Sequence, residues 1–267
     1  MSRQFPENRH YQELADEHRQ WLKSYDSRYL DNWEKLLKDN HEAALYEAAV
    51  RRNLQANGIL VEPNESLTGD RRCPDFRCVL GARHFYVEVS CIPASKAEEK
   101  TGVPADRPGF YPWSPFRLIE SVLSKCGNKY GQFQNLDGPA LLAVGTLHGF
   151  AAMDLKRKEV VASVLAGKTK MAWDIGSGEA SSVYHLTDFE DASFLERDPA
   201  SDGITNKNSP ISGILLGGVD CPFLGVLNPK PVHSFDPAIL SDVEFGEVII
   251  DDHVGEVQVN WSRQSGI

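Results

Sequence analysis

Two carboxylates stand where a buried hairpin is expected to be apolar. The stretch CPDFRCVLGARHFYVEVSC, residues 73–91, reads as two short strands joined by Gly81 and Ala82. Asp75 interrupts the first strand and Glu88 the second. With a two-residue turn, Leu80 faces Arg83 and Asp75 falls directly opposite Glu88. Opposed β-carbons lie about 4.5–5.5 Å apart. Carboxylates that close repel, and one is driven towards protonation unless something positive lies between them. A divalent cation answers the repulsion, and hard ions such as Mg²⁺ favour carboxylate oxygen and keep several waters. Along HFYVEVSC, alternation puts Tyr86, Glu88 and Ser90 on one side and Phe85, Val87, Val89 and Cys91 on the other. Ser90 therefore projects with Glu88 towards the side where Asp75 points.

A third acid precedes the hairpin. Glu47 shares a helical stripe with Ala43, Ala44, Val50 and Leu54, the stripe that should dock on a sheet. An unpaired charge there is expensive, and an ion at Asp75 and Glu88 would supply a partner, directly or through water. Plainer alternatives stay open. The hairpin acids could serve solubility at a sheet edge, the register could slip by one residue, and Glu47 could pair with Arg51.

The elements that must position these groups follow from periodicity and turn chemistry. Residues 10–40 carry Leu and Trp at helical spacing and predict one or two helices. HEAALYEAAVRRNLQANG predicts another, stopped by Gly58. ILVEP at 59–63 predicts a strand, and the hairpin comes next. The segment from Pro93 to Pro115 reads as a long loop, functional or mobile. SPFRLIESVLSKCGNKYGQF predicts a helix started by Ser114 and Pro115, and PALLAVGTL at 139–147 a buried strand. The order is helix, strand, strand, strand, helix, strand. Further on, KEVVASVLAG reads as a helix, ISGILLGG and FLGVLNP as a strand pair on the same sheet, and DFEDASFLERDPASDGITNKNS as loop-rich.

Bulk properties bound the function. The chain has 267 residues with 28 basic and 38 acidic side chains, a net charge of −10. Charge of that sign excludes a surface that grips phosphate backbone everywhere, but a local basic groove remains compatible with it. No apolar run reaches the roughly 18 residues of a membrane span, and the first residues hold no apolar signal segment. A cytoplasmic protein is the expectation. The five cysteines show no CxxC pair and read as reduced core residues, with no zinc spacing. GSG at 176–178 reads as a turn, the eight histidines are scattered, and His84 reads as structural. Lys96, Lys100 and Arg107, with Phe110, Tyr111 and Trp113, carry the basic and aromatic mixture that suits nucleic acid, although an ordinary packed loop explains them too.

Pro74-Asp75, Glu88-Val89-Ser90 and Glu47 together resemble the PD-(D/E)xK nuclease superfamily, over residues 42 to about 147. The resemblance implies an α/β fold with a restriction-endonuclease-like core, a central mixed sheet flanked by helices in the order αβββαβ. On this division residues 1–40 are an N-terminal helical extension, 41–149 the core, and 150–267 a C-terminal extension with extra strands on the same domain. It implies hydrolysis of phosphodiester bonds in nucleic acid, most naturally DNA, with Mg²⁺ as cofactor and Mn²⁺ able to substitute. Asp75, Glu88 and the Val89 carbonyl would hold the metal, and Glu47 a second metal or a water. Ser90 stands where the motif has lysine. It can position water but carries no charge. Lys129, then Lys125, on the following helix are the expected substitutes, with Gln132 assisting, although a solvated helix face explains either lysine alone. The resemblance leaves room for a homodimer or a protein partner. The alternatives are a catalytically inactive binding or assembly module on this fold, which the missing lysine and the −10 charge favour, and a hydrolase of small phosphorylated substrates.

Overall fold

The computed structural model describes residues 8–67, 73–105, 116–159, 161, 164, 168–172, 184–188, 192–197, 200, 204–207, 209–220, 222–251 and 256–262. Three helices lead: α1 (Arg9–Leu22), α2 (Ser27–Asp39) and α3 (His41–Ala56). Asn8, Asp26 and Asn40 cap them by accepting from the N–H groups of His10, Arg28 and Ala43, which first-turn geometry leaves open. Gly58 closes α3 with φ +75°, a left-handed conformation that costs glycine little.

β1 (Leu60–Pro63), β2 (Phe76–Leu80) and β3 (Arg83–Cys91) follow, then α4 (Ala94–Thr101), α5 (Phe116–Lys129), a 3-10 turn over Tyr130–Phe133, and β4 (Ala140–Thr146). The expected order is present with one correction: α4 occupies part of the segment expected to be a loop. Between Pro93 and Gly102 the sequence ASKAEEKT has neither proline nor glycine and consists largely of good helix formers. Its Ala94, Ala97 and Thr101 are buried on one face, and Gly102 ends it with φ +77°. Ser114 and Pro115, the expected start of α5, lie outside the described residues.

The later chain forms α6 (Gly149–Asp154), β5 (Lys168–Ala172), β6 (Tyr184–Asp188), β7 (Leu195–Arg197), β8 (Ile204–Asn206), β9 (Gly213–Gly218), β10 (Leu224–Leu227), β11 (Glu244–Asp251) and β12 (Glu256–Trp261). Within KEVVASVLAG the described residues 158, 159, 161 and 164 are helical. Residues 176–178 lie outside the described set. The segment expected to be loop-rich contains the small antiparallel pair β7–β8, a partial correction.

Eight strands make one mixed sheet in the order β1-β2-β3-β4-β9-β10-β11-β12. β9 and β10 are the expected strand pair on the same sheet, running antiparallel, and β11 and β12 extend it unforeseen. β4 lies parallel to both β3 and β9 and is buried along its whole length. Its alternation splits the core. Leu141 and Ala143 pack with the α1–α3 cluster, while Leu142 and Val144 pack with Leu118 and Val122 of α5. Helices therefore flank a large mixed sheet, the α/β arrangement that buries both faces. Cys73, Cys78, Cys91 and Cys126 are free thiols, and no described helix is long and apolar enough to cross a membrane.

Candidate functional site

The hairpin takes the expected register. Leu80 pairs with Arg83 and Phe76 with Val87, so the next step sets Asp75 opposite Glu88. Gly81 alone of the two turn residues has positive φ, +62°, the pattern of a II′ turn that matches strand twist. β2 begins just after Asp75, and the carboxylate continues the ladder in place of main chain: Asp75 Oδ2 accepts from the Val89 N–H at 2.7 Å. Both main-chain groups of a strand residue face the same neighbour, so the Val89 carbonyl turns to that flank too.

Glu88 is 1% exposed. Its Oε1 accepts from the ammonium of Lys129, the last residue of α5. Its Oε2 is buried without a hydrogen-bond partner among the described residues. Burial and the Asp75 charge push the Glu88 carboxyl up to about 8, with Lys129 and Gln132 pulling the other way. Burial likewise pushes Asp75 to about 6, opposed by the Val89 N–H and Lys129. Lys125 lies elsewhere: its charge acts on the Cys91 thiol, one turn back along α5. Ser90 is buried on the Glu88 side of β3.

Glu47 also reaches this group. Burial, then Asp75, Glu65 and Glu88, raise its proton affinity well above the ordinary carboxyl value. The anticipated Glu47–Arg51 pair is not formed. Arg51 Nε donates instead to His18 Nδ1 at 3.1 Å, so neutral His18 carries its proton on Nε2, which stands 3.7 Å from Glu47 Oε1. His18 is fully buried, stacked on Trp33 with ring centroids 4.7 Å apart. Burial and Arg51 lower its pKa to about 2, so it stays neutral. His18 was legible in principle, since Leu14, His18 and Leu22 follow one another at intervals of four along a buried stripe.

Glu65, which sequence reasoning passed over, is the fourth acid of the cluster. Burial and Asp75 raise its pKa, and Asn32 opposes them. Glu47, Glu65 and Asp75 border a cavity of about 10 Å³ under Trp21, Tyr29 and Trp33, close to the volume one water requires. Nothing in the sequence around Glu65 marks it, because its role arises only when the loop after β1 folds beside Asp75.

Other candidates fall away from the acids. Lys96 pairs with Glu99 and Lys100 with Glu120, which occupies them locally. Arg107, Phe110, Tyr111 and Trp113 lie outside the described residues. His84 Nε2 meets Asp137 Oδ1 at 3.1 Å, in keeping with a structural part.

The donors suit a hard cation in one respect: two carboxylates face each other, and one keeps a buried oxygen without a partner. Among the described residues no three His, Cys, Asp or Glu side chains form a ready metal cage. An ion of the Mg²⁺ kind is commonly held by only one or two carboxylates, with water and substrate completing its shell. No family model, curated protein or solved structure matches the chain.

Proposed function

We propose that this chain is a metal-dependent phosphodiesterase acting on nucleic acid, most naturally DNA, with a restriction-endonuclease-like core over α3 to β4. One observation carries the reading: an ammonium from α5 meets Glu88 at the point where the strand motif itself offers only Ser90. A cation from the next helix would restore the charge that the PD-(D/E)xK pattern otherwise lacks here.

Bound at Asp75 and Glu88, Mg²⁺ or Mn²⁺ would act as a Lewis acid and lower the pKa of a water. The chain's own residues do the rest. The Val89 N–H fixes the Asp75 carboxylate, and the Val89 carbonyl adds an oxygen on the same flank. Lys129, with 29% of its side chain exposed, can turn its ammonium to a phosphate oxygen and offset charge developing there. Glu47 would hold a second metal or a water, and its raised proton affinity would suit it to take that water's proton. Ser90 offers a hydroxyl to the same water. Against a net charge of −10, backbone attraction must be local and strongly salt-dependent.

In low salt with Mn²⁺ or Mg²⁺ the protein should nick supercoiled DNA, and Asp75→Ala should abolish nicking. Full activity in Asp75→Ala would end the mechanism.

A second reading, an inactive binding module on the same architecture, is favoured by the direct Lys129–Glu88 pairing, and among the described residues no third His, Cys, Asp or Glu side chain completes a metal cage. Calorimetric titration of Mn²⁺ into wild type and Glu88→Ala separates the two. Heat of binding in wild type that vanishes in the variant supports the hydrolase.

A further inference from the structure

A cavity of about 330 Å³ opens beside the acids. The segments that position the site also form its walls. Tyr86 precedes Glu88 by two residues on the same side of β3, a step of about 6.6 Å along a strand. Asn64 is fastened around Asp75: its N–H donates to the Asp75 carbonyl at 2.8 Å and its Nδ2 to the Pro74 carbonyl at 3.0 Å. Gln134 to Asp137 follow Gln132 on the way from the 3-10 turn to β4.

The wall chemistry is selective. No lysine or arginine lines the cavity among the described residues. The Tyr86 hydroxyl donates to Asp137 Oδ1 at 2.7 Å, and that bond, with the one from His84, holds the Asp137 carboxyl below its usual range. An ionised acid repels phosphate but accepts from an amino group. Asn64, Gln134 and Asn135 contribute neutral amides, each with donor and acceptor. Those of Gln134 and Asn135 form no side-chain hydrogen bond among the described residues. Asn135 is also the one described non-glycine residue with positive φ, +61°, a conformation asparagine tolerates better than most residues and one that repays inspection.

An uncharged planar ring with donors and acceptors along one edge, lying against Leu136, suits this set better than a phosphate, which the Asp137 carboxylate repels. We infer that the cavity receives one unpaired nucleobase beside the phosphate handled at Asp75 and Glu88, so that the preferred substrate is single-stranded or has a base turned out of its stack. This rests on the nucleic-acid reading above. A base within a duplex has its pairing edge occupied and must be extruded before a pocket can read it.

Fluorescence anisotropy at low salt in Ca²⁺ tests the inference. The probes are a short mixed-sequence single strand, the same strand in a duplex, and an abasic strand of equal length. Wild type should bind the single strand roughly tenfold tighter than the other two, since one well-matched set of base contacts is worth about 1–3 kcal/mol. Gln134→Ala combined with Asn135→Gly, which keeps the backbone conformation, should bind all three alike. Both side chains are exposed, so the melting curve should hold and shows whether the variant is folded. Equal affinity of wild type for the abasic and base-bearing strands overturns the inference, as does unchanged preference in the double variant. Cleavage in Mn²⁺ is read separately. Base preference without any cleavage removes the hydrolase reading and leaves the pocket. Cleavage without base preference does the reverse.

Discussion

The two ends of the β2–β3 hairpin handle charge in opposite ways. At the turn, Arg83 pairs with Asp236. Opposite signs meet there in contact with water. At the other end Asp75 and Glu88 carry like charge across the register, with Glu47 and Glu65 close enough to raise one another's proton affinity. The first end resembles ordinary surface chemistry, where exposed pairs add about 0–1 kcal/mol. The second works against folding, because burial penalises each charge, and Lys129, Gln132 and the Val89 N–H offset that only in part at Asp75 and Glu88. A chain selected for stability alone would carry amides or aliphatics at these positions. Strained electrostatics in one place, beside an orderly counterpart a few residues away, is the pattern that clusters at functional sites and that the proposed hydrolase would use.

The widest separation between the ends should come from Lys129. Lys129→Met should reduce nicking by about 10²–10³-fold, the loss typical of one preorganised charge-stabilising donor. Lys125→Met, one turn back, should leave it within a few-fold. Equal losses in the two variants would mean that α5 contributes general positive charge and no specific group.

Stability against pH is the next largest effect. Ordinary glutamate has a pKa of about 4.3, and folded Glu88 sits at about 8. Between those values the folded chain keeps a proton that the unfolded chain releases. Stability is therefore full below about pH 4 and falls as pH rises through 8, by up to 1.36 kcal/mol per unit for one such group. Asp75, at about 6, adds a loss of the same sign that is complete sooner. Metal-free wild type should lose on the order of 3 kcal/mol between pH 5 and 8 in urea titrations, and Glu88→Gln should flatten that slope. Mn²⁺ at pH 8 should raise the melting temperature of wild type and leave Glu88→Gln unmoved. A wild-type slope of opposite sign would sink the electrostatic account.

How much of this was legible in the sequence depends on whether a feature is local. The hairpin register was, because a two-residue turn and strict alternation leave few ways to pair residues 75–88. The Gly58 stop was legible for the same reason. Lys129 could be ranked ahead of Lys125 but not placed, since both share a helix face and only the docking of α5 on β3 sets Lys129 on Glu88. α4 was hidden by the proline and glycine on either side of eight helix-forming residues. β11 and β12 pair locally, with Asp251 opposite Glu256, and were passed over, whereas Glu65 and the His18–Arg51 arrangement depend on contacts between distant segments, where local pattern gives little guidance. His18 comes from α1 and Arg51 from α3, and their hydrogen bond spans 33 residues.

The smallest effects belong to the turn end, and they test whether it is as ordinary as it looks. Gly81 has φ +62°, and a β-carbon placed there meets nothing within 4 Å. Gly81→Ala should therefore cost only the left-handed conformation, about 1–2 kcal/mol, measured as a shift in urea midpoint at constant slope. Arg83→Ala should cost less than 1 kcal/mol, because 56% of the Arg83 side chain and 48% of that of Asp236 face solvent. Neither variant should change Mn²⁺ affinity or nicking, since both lie at the far end of the strands from Asp75. If Arg83→Ala did weaken metal binding, the two ends would be coupled through the register itself. The hairpin would then act as one lever that sets the spacing of the carboxylates, and the contrast between its ends would be a division of labour within a single device.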